Sequence, residues 1–437
     1  MDILKQVADA NVKFIELQFT DILGFCKSVS VPVSQIEKVL DGKCMFDGSS
    51  VEGFVRIQES DMRLVPDINT FLILPYMDER YKTARIICDV YTTENKPFEG
   101  DPRWVLKKVL RRASDMGYAV NIGPECEFFL FGMAQGKPTL QDTDSCGYFD
   151  LAPMDLGDTC RKAICVALEQ MGFVIETSHH ECAPGQHEID FKYGDALKMA
   201  DDIVTFKTTV KAVAMQHGLH ATFMPKPKQG IAGSGMHVNI SLDCIKTGVN
   251  LFCDDTTGGL SRVAMSFIAG LMEHVPSFTV ITNPLVNSYK RLVSGHEAPV
   301  YIAYSFKNRS PLIRIPSASG KSTRIELRSP DPSCNPYLAL ATVIASGLDG
   351  IKNDLTPPAS VDENIYELPE QKRKDLGIEN LPNSLYTALG LFEKSKFMRD
   401  TLGDHITGKY IEAKYKEWQE YKTQISDWEI ETYLTKY

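Results

Sequence analysis

With 437 residues, 43% apolar and 24% charged, the chain has an ordinary globular composition and exceeds what one hydrophobic core usually serves, which predicts two domains. A net charge of −10 argues against nucleic acid or an anionic membrane as the main partner. Eleven cysteines, an odd set without CxxC spacing, argue against a disulfide or zinc framework and read as reduced thiols. The opening Met-Asp-Ile-Leu-Lys lacks a basic stretch followed by an apolar one, and no uninterrupted apolar run approaches ~18 residues. The expectation is a cytoplasmic protein.

Residues 1–91 alternate short apolar runs with turns, a pattern that predicts one helix over 3–10 and then a small, mostly β domain. Within it Phe46-Asp47-Gly48-Ser49-Ser50 reads as a loop able to approach a ligand or another chain. The stretch 92–100 reads as a linker, so the domains are expected over 1–100 and 101–437. Asp101 caps a predicted helix whose first residue is Pro102 and which stops at Gly117.

Gly123-Pro124-Glu125-Cys126-Glu127-Phe128-Phe129-Leu130-Phe131 cannot be helix interior, and its aromatic run favours a strand. Period two puts Glu125 and Glu127 on one face, where paired carboxylates want a cation unless that face is simply wet. A helix over 158–171 is followed by His179-His180-Glu181-Cys182-Ala183-Pro184-Gly185-Gln186-His187-Glu188. A hairpin centred on Pro184-Gly185 sets Glu181 directly opposite Glu188, a second acidic pair; an exposed tip with solvated side chains is the alternative. Residues 195–216 read as one long helix whose Met and Phe residues belong to the core.

Gly230 to Leu242 is a glycine-rich loop feeding a strand with His237, Asn239 and Ser241 on one face. Residues 290–328 hold eight Lys and Arg against two Glu, the local exception to the acidic balance. Arg324, Glu326 and Arg328 alternate there, and arginine among apolar residues suits carboxylate or phosphate. Ser294-Gly295-His296-Glu297-Ala298-Pro299 has the composition of a mobile lid. Beyond Asp331 the chain reads as mainly helical, with an exposed connection over 357–375.

Glu125, Glu127, Glu181, Glu188 and Glu326, with His237, make a donor set for hard divalent cations beside an arginine-rich rim. Six ligands exceed one Mg²⁺ that keeps its waters, which implies two ions. Phosphoryl transfer is the chemistry such a site serves.

FDGSS at 46–50, GPECEFFLF at 123–131, HHECAPGQHEID at 179–190 and PKPKQGIAGSGMHVNISL at 225–242 resemble the type I glutamine synthetases. So do the stretches 287–316 and 324–341. The chain is similar to the shorter, non-adenylylated (alpha) subgroup over its whole length. The resemblance implies an α+β fold, with an N-terminal β-grasp domain and a C-terminal catalytic α/β domain whose curved antiparallel sheet is lined by metal ligands. It implies ATP-dependent ligation of ammonia to the γ-carboxylate of glutamate through γ-glutamyl phosphate, in nitrogen assimilation.

By motif, Glu127, Glu181 and Glu188 would hold one Mg²⁺ or Mn²⁺, and Glu125, His237 and Glu326 the other. Arg291, Arg328 and the Gly233 backbone would bind glutamate, and Arg309 and Arg314 the transferring phosphoryl group. Glu176, Ser241 and Lys321 match ATP-contacting positions. Asp47 would deprotonate ammonium, acting in a neighbouring subunit of a dodecamer of two stacked six-membered rings, and Glu297 would close over the intermediate. Arg56 is the feedback-inhibition candidate, with a regulatory protein partner left open. Tyr366 matches a position adenylylated in the other subgroup. Ala232 and His296 depart from the family pattern, which commonly has Asn and Tyr there. A sibling ligase acting on another amine, and a regulatory protein that keeps the fold without catalysis, are the rival readings.

Overall fold

The computed structural model describes residues 3–54, 61–254, 256, 259–293, 298–306, 308 and 310–437. The first part of the chain forms a six-stranded sheet from β1 (Phe14–Thr20), β2 (Cys26–Pro32), β3 (Cys44–Asp47), β4 (Asp61–Pro66), β5 (Leu72–Ile73) and β6 (Thr83–Thr92). Its order is β2-β1-β6-β4-β3, with β5 also on β6, and only β1 and β6 run parallel. Alternation explains β1: Ile15 and Leu17 are buried while Phe14, Glu16 and Gln18 are only half so. Phe46-Asp47, expected in a loop, instead ends β3, opposite Met62 and Asp61 of β4.

The larger sheet has ten strands. Those on its main path are β7 (Tyr118–Ala134), β9 (Ile175–His180), β10 (Gln186–Phe191), β13 (Met236–Cys244), β15 (Tyr304–Ser305), β16 (Ile313–Arg314) and β17 (Ile325–Leu327). The order is β15-β16-β17-β13-β7-β10-β9, and β8 (Lys137–Asp142), β11 (Gly194–Asp195) and β12 (Leu219–Thr222) add to β7. A separate short pair joins β14 (Tyr301–Ile302) to β18 (Glu379–Asn380). Pairing in the large sheet is antiparallel except between β15 and β16. Helices Pro102–Asp115, Asp158–Gln170, Ala196–Gln216, Arg262–Thr282 and Pro336–Lys352 share one core with this sheet, to which Cys126, Met236, Val238 and Ile240 contribute. Helix Arg262–Thr282 is long and apolar enough to cross a membrane, but 67% of its apolar window is buried in the fold. The expected exposed connection carries a helix, Glu370–Asp375, and buries Ile365 and Leu368 against Tyr301 and Ala303.

Asp101 caps its helix as its sequence context predicts, accepting from the Arg103 amide at 2.9 Å. The Arg103 side chain ties the smaller sheet to the helices of the larger domain: its guanidinium, 3% exposed, bridges Asp67, Asp89 and Asp201, each at 2.8 Å. Asn335, at the start of helix Pro336–Lys352, donates to the carbonyl of Asp21 at 2.9 Å and makes a second tie.

Candidate active site

The acidic residues meet because five neighbouring segments of the large sheet bring them to one level. Register sets His237 of β13 and Asp190 of β10 on either side of Glu125, and Glu188 of β10 opposite Glu127. On β17, Glu326 pairs with Asn239 of β13 and with Arg314 of β16. The apolar partners of the same strands face the core, so the acids occupy the opposite face.

The hairpin expectation is corrected. Glu188 pairs with His179, and the Glu181 amide donates to the carbonyl of Gln186 at 2.8 Å. The register is displaced by two residues, so Glu181 and Glu188 keep one face without being opposite. The cause is the turn: Gly185 has φ +68 and the Gln186 amide returns to the Ala183 carbonyl, which is type II geometry at Pro184-Gly185. That turn does not join strands directly, so Cys182 and Ala183 enter the loop as well. Glu181 heads the loop, its carboxylate 3.4 Å from His179 Nδ1 and accepting from the Cys182 amide at 3.1 Å.

Among the described residues three groups of ligand atoms gather, each within 4.8 Å: Glu125, His237 and Glu326; His179, Glu188 and Asp190; and Asp144, Asp155, His180 and His187. In the first, His237 Nδ1 lies 3.2 Å from Glu125 and 3.7 Å from Glu326. Asn239 donates to Glu125 at 2.8 Å, while Glu326, 1% exposed, receives Arg314 at 2.8 Å and also Arg328. Burial pulls the Glu125 carboxyl up, but His237 and Asn239 outweigh it and hold it at about 2. Among the described residues no arginine pairs with the second group, whose imidazole is His179. Burial, then the charges of Glu127 and Asp190, push the Glu188 carboxyl well above the ordinary range. Glu127 is satisfied by neutral donors, the Gln186 amide at 2.9 Å and the Gly235 backbone at 2.8 Å.

A cavity of 320 Å³ opens on Glu125 and is lined by Glu176, Ser241 and Lys321, the three residues matched to nucleotide contacts. Asn121, Tyr193 and Asp190 line it too and were not singled out. Asp190 could have been found from the period-two partnership with Glu188, whereas Asn121 and Tyr193 carry no local signal. Arg291 is 3% exposed and donates to the carbonyls of Arg328, Ser329 and Pro330. It packs so close to Gly233 and Gly235 that a Cβ on Gly235 would come within 2.5 Å of its guanidinium, and one on Gly233 would meet the Pro225 carbonyl at 2.3 Å. Only glycine fits there.

Asp144 and His180 were also missed. The buried His180 ring bridges the Asp144 carboxylate at 3.1 Å and the Glu181 carbonyl at 2.7 Å, and Asp144 also accepts from the Gly185 amide at 3.0 Å. This chain clamps the turn that presents Glu181. Ala232 packs with Ile231 against Phe129, Phe131 and Ala183. Asp47 is exposed at the end of β3, accepts from the Ser49 amide at 2.8 Å, and is absent from the lining of the cavity. Arg56, His296, Glu297 and Arg309 lie outside the described residues.

Residues 11–93 match the family model described as the β-grasp domain of glutamine synthetase, and residues 99–433 the one described as its catalytic domain. The chain belongs to the glutamine synthetase family. A glutamine synthetase of Clostridium saccharobutylicum is 56% identical over 438 residues, covering 100% of this chain and 98% of its own. One from Staphylococcus aureus (strain MRSA252) is 56% identical over 439 residues with the same coverage. Among solved structures, a GmaS/ADP complex has a TM-score of 0.90 at 34% identity, covering 99% of both chains. An apo GmaS without ligand gives 0.88 at 33% identity, again over 99% of both chains. The family match agrees with the two-sheet, α+β architecture described above.

Proposed function

We propose that this chain catalyses ATP-dependent ligation of ammonia to the γ-carboxylate of L-glutamate through γ-glutamyl phosphate, yielding glutamine, ADP and phosphate. One observation carries the reading: in a chain that matches both domains of this family, the predicted nucleotide residues line a cavity that opens onto the acid and histidine cluster. Oxygen donors with one imidazole fit Mg²⁺ or Mn²⁺, and the surplus of opposed carboxylates around Glu188 is what a divalent ion offsets. Glu127, Glu181 and Glu188 would hold one ion, and Glu125, His237 and Glu326 the other. Bound there, the ions would supply neutralisation of the charge on the transferring phosphoryl group.

The chain's own residues do the rest. Glu176, Ser241 and Lys321 seat ATP. Arg328 and Arg291 take the carboxylates of glutamate, with the Gly233 backbone at its amino end. Arg314, held by Glu326 but one third exposed, meets the transferring phosphoryl group together with Arg309. Glu297 covers the intermediate and keeps water from the acyl phosphate. Exposure of Asp47 away from its own cleft supports its service to a neighbouring copy, where its carboxylate takes a proton from ammonium, in a dodecamer of two stacked rings. The same reading sets the domain division at residues 100 and 101, the enzyme in the cytoplasm, Arg56 as the feedback-inhibition residue, and regulation by a protein partner as compatible.

The test is to follow glutamine and ADP with Mg²⁺, ATP and glutamate, with and without ammonium. Glutamine formed in step with ADP is expected. ADP formed only with another amine transfers the reading to a sibling ligase, and no turnover with any amine to a regulatory protein.

A further inference from the structure

A second cavity, of 510 Å³, lies where the turn between β1 and β2 meets the helical side of the larger domain. Its walls hold three lysines, Lys207, Lys211 and Lys414, against one acid, Glu417. Glu417 is already committed: one oxygen accepts from the Val286 amide at 3.1 Å and the other pairs with Lys414 at 2.8 Å. Lys207 and Lys211 have no carboxylate within 4.0 Å among the described residues. Their ammonium groups sit 5.9 and 5.8 Å from the centre of the same ring, Phe223, and Lys207 reaches only the Cys334 carbonyl, at 3.5 Å. Burial lowers both pKa values, and the neighbouring charge of Lys207 lowers that of Lys211 further. Two adjacent, partly desolvated cations with no ion-pair partner within 4.0 Å among the described residues are costly unless an anion joins them. Leu23, Phe25, Met224 and Leu285 form an apolar part of the wall, and Thr208, Thr222 and Ser333 add hydroxyl groups.

We infer that this cavity is a binding site for a small dicarboxylate with a hydrocarbon body, its two charges on Lys207 and Lys211 and its carbon chain on Phe25, Met224 and Leu285. The paired ammonium groups set the charge of the ligand at two, and the apolar wall selects an organic anion over an inorganic one. Lysine, a compact point charge on a flexible stem, adapts to either end of such a chain.

The test is calorimetric titration of the full-length protein with adipate, with Mg²⁺, glutamate and a non-hydrolysable ATP analogue saturating so that the acidic cleft is occupied. Binding, not turnover, is read, so the result stands or falls apart from the proposed ligase reaction. One adipate per chain is expected, weakened about tenfold by Lys207→Met, the loss of one charged contact, and by at least as much by Lys211→Glu, which adds repulsion to that loss. Ammonium-dependent turnover should be unchanged in both variants. Lys211 is exposed, so its variant keeps the fold even if Lys207→Met does not. Absence of adipate binding, wild-type affinity in Lys211→Glu, or inorganic phosphate binding as tightly as adipate would overturn the inference.

Discussion

The two halves of the acidic cluster are built on opposite electrostatic plans. Around Glu326 the protein supplies its own positive charge, from Arg314 and Arg328, and the His237 ring lies 3.2 Å from Glu125. Around Glu188 it supplies more carboxylate, from Glu127 and Asp190, with neutral donors on Glu127, the His179 ring beside Glu188, and no arginine ion pair among the described residues. The first half is pre-formed without help; the second is strained until a cation arrives. Folding stability and ion binding should therefore respond in opposite senses to the same Glu→Gln change made in the two halves.

The largest effect is expected at Glu326. Glu326→Gln leaves Arg314 and Arg328 facing a neutral amide in a site 1% exposed, so it should lower unfolding free energy by roughly 3 kcal/mol. Denaturant unfolding of the ion-free protein reads this directly, and an unchanged midpoint would erase the distinction between the halves. Next comes the ion itself. Mg²⁺ at about 100 times its dissociation constant should stabilise the wild type by about 2.7 kcal/mol, and Glu127→Gln should lose both that gain and turnover. Near-normal turnover of Glu127→Gln at saturating Mg²⁺ would remove Glu127 from the ligands.

Smaller is the effect at the clamp behind Glu181. Asp144→Asn should weaken the ion-dependent stabilisation by about tenfold in apparent affinity while leaving nucleotide binding alone, because it loosens the turn and touches no substrate. Loss of both together would mean only a general defect in folding. The smallest effect is a gain. Glu188→Gln in ion-free buffer should raise stability by about 1 kcal/mol by replacing a buried carboxyl whose charged form is opposed by burial and by Glu127 and Asp190. The native state holds a proton on Glu188 that the unfolded chain has released, so ion-free stability falls as pH climbs above the unfolded value of 4.5. Unfolding curves across that interval should show the decline in wild type and its absence in Glu188→Gln.

Strand faces and helix caps were legible because they depend on short-range periodicity. Glu125 with Glu127, His237 with Asn239 and Ser241, and the Asp101 cap all stand where their spacing put them. The strands Cys44–Asp47 and Asp61–Pro66 were not, since neither carries a strong apolar run and each is a strand through its neighbour. The Glu181 register failed on one turn, where the handedness at Pro184-Gly185 outweighed the simplest hairpin count. Asn121 and Tyr193 joined the cavity only because β7 lies between β13 and β11, pairing with both.

What the sequence determined by itself, then, was the inventory: which carboxylates share a face, where the helices begin, and which residues repeat the family's motifs. Tertiary structure decided which of those charges are neutralised. Arg314 reaches Glu326 across a strand pair, and Glu188 meets Glu127 instead of Glu181, because register is fixed by turn geometry and by burial of the opposite face. Charge balance depends on distances of a few ångströms between residues far apart in the chain. No local pattern encodes them.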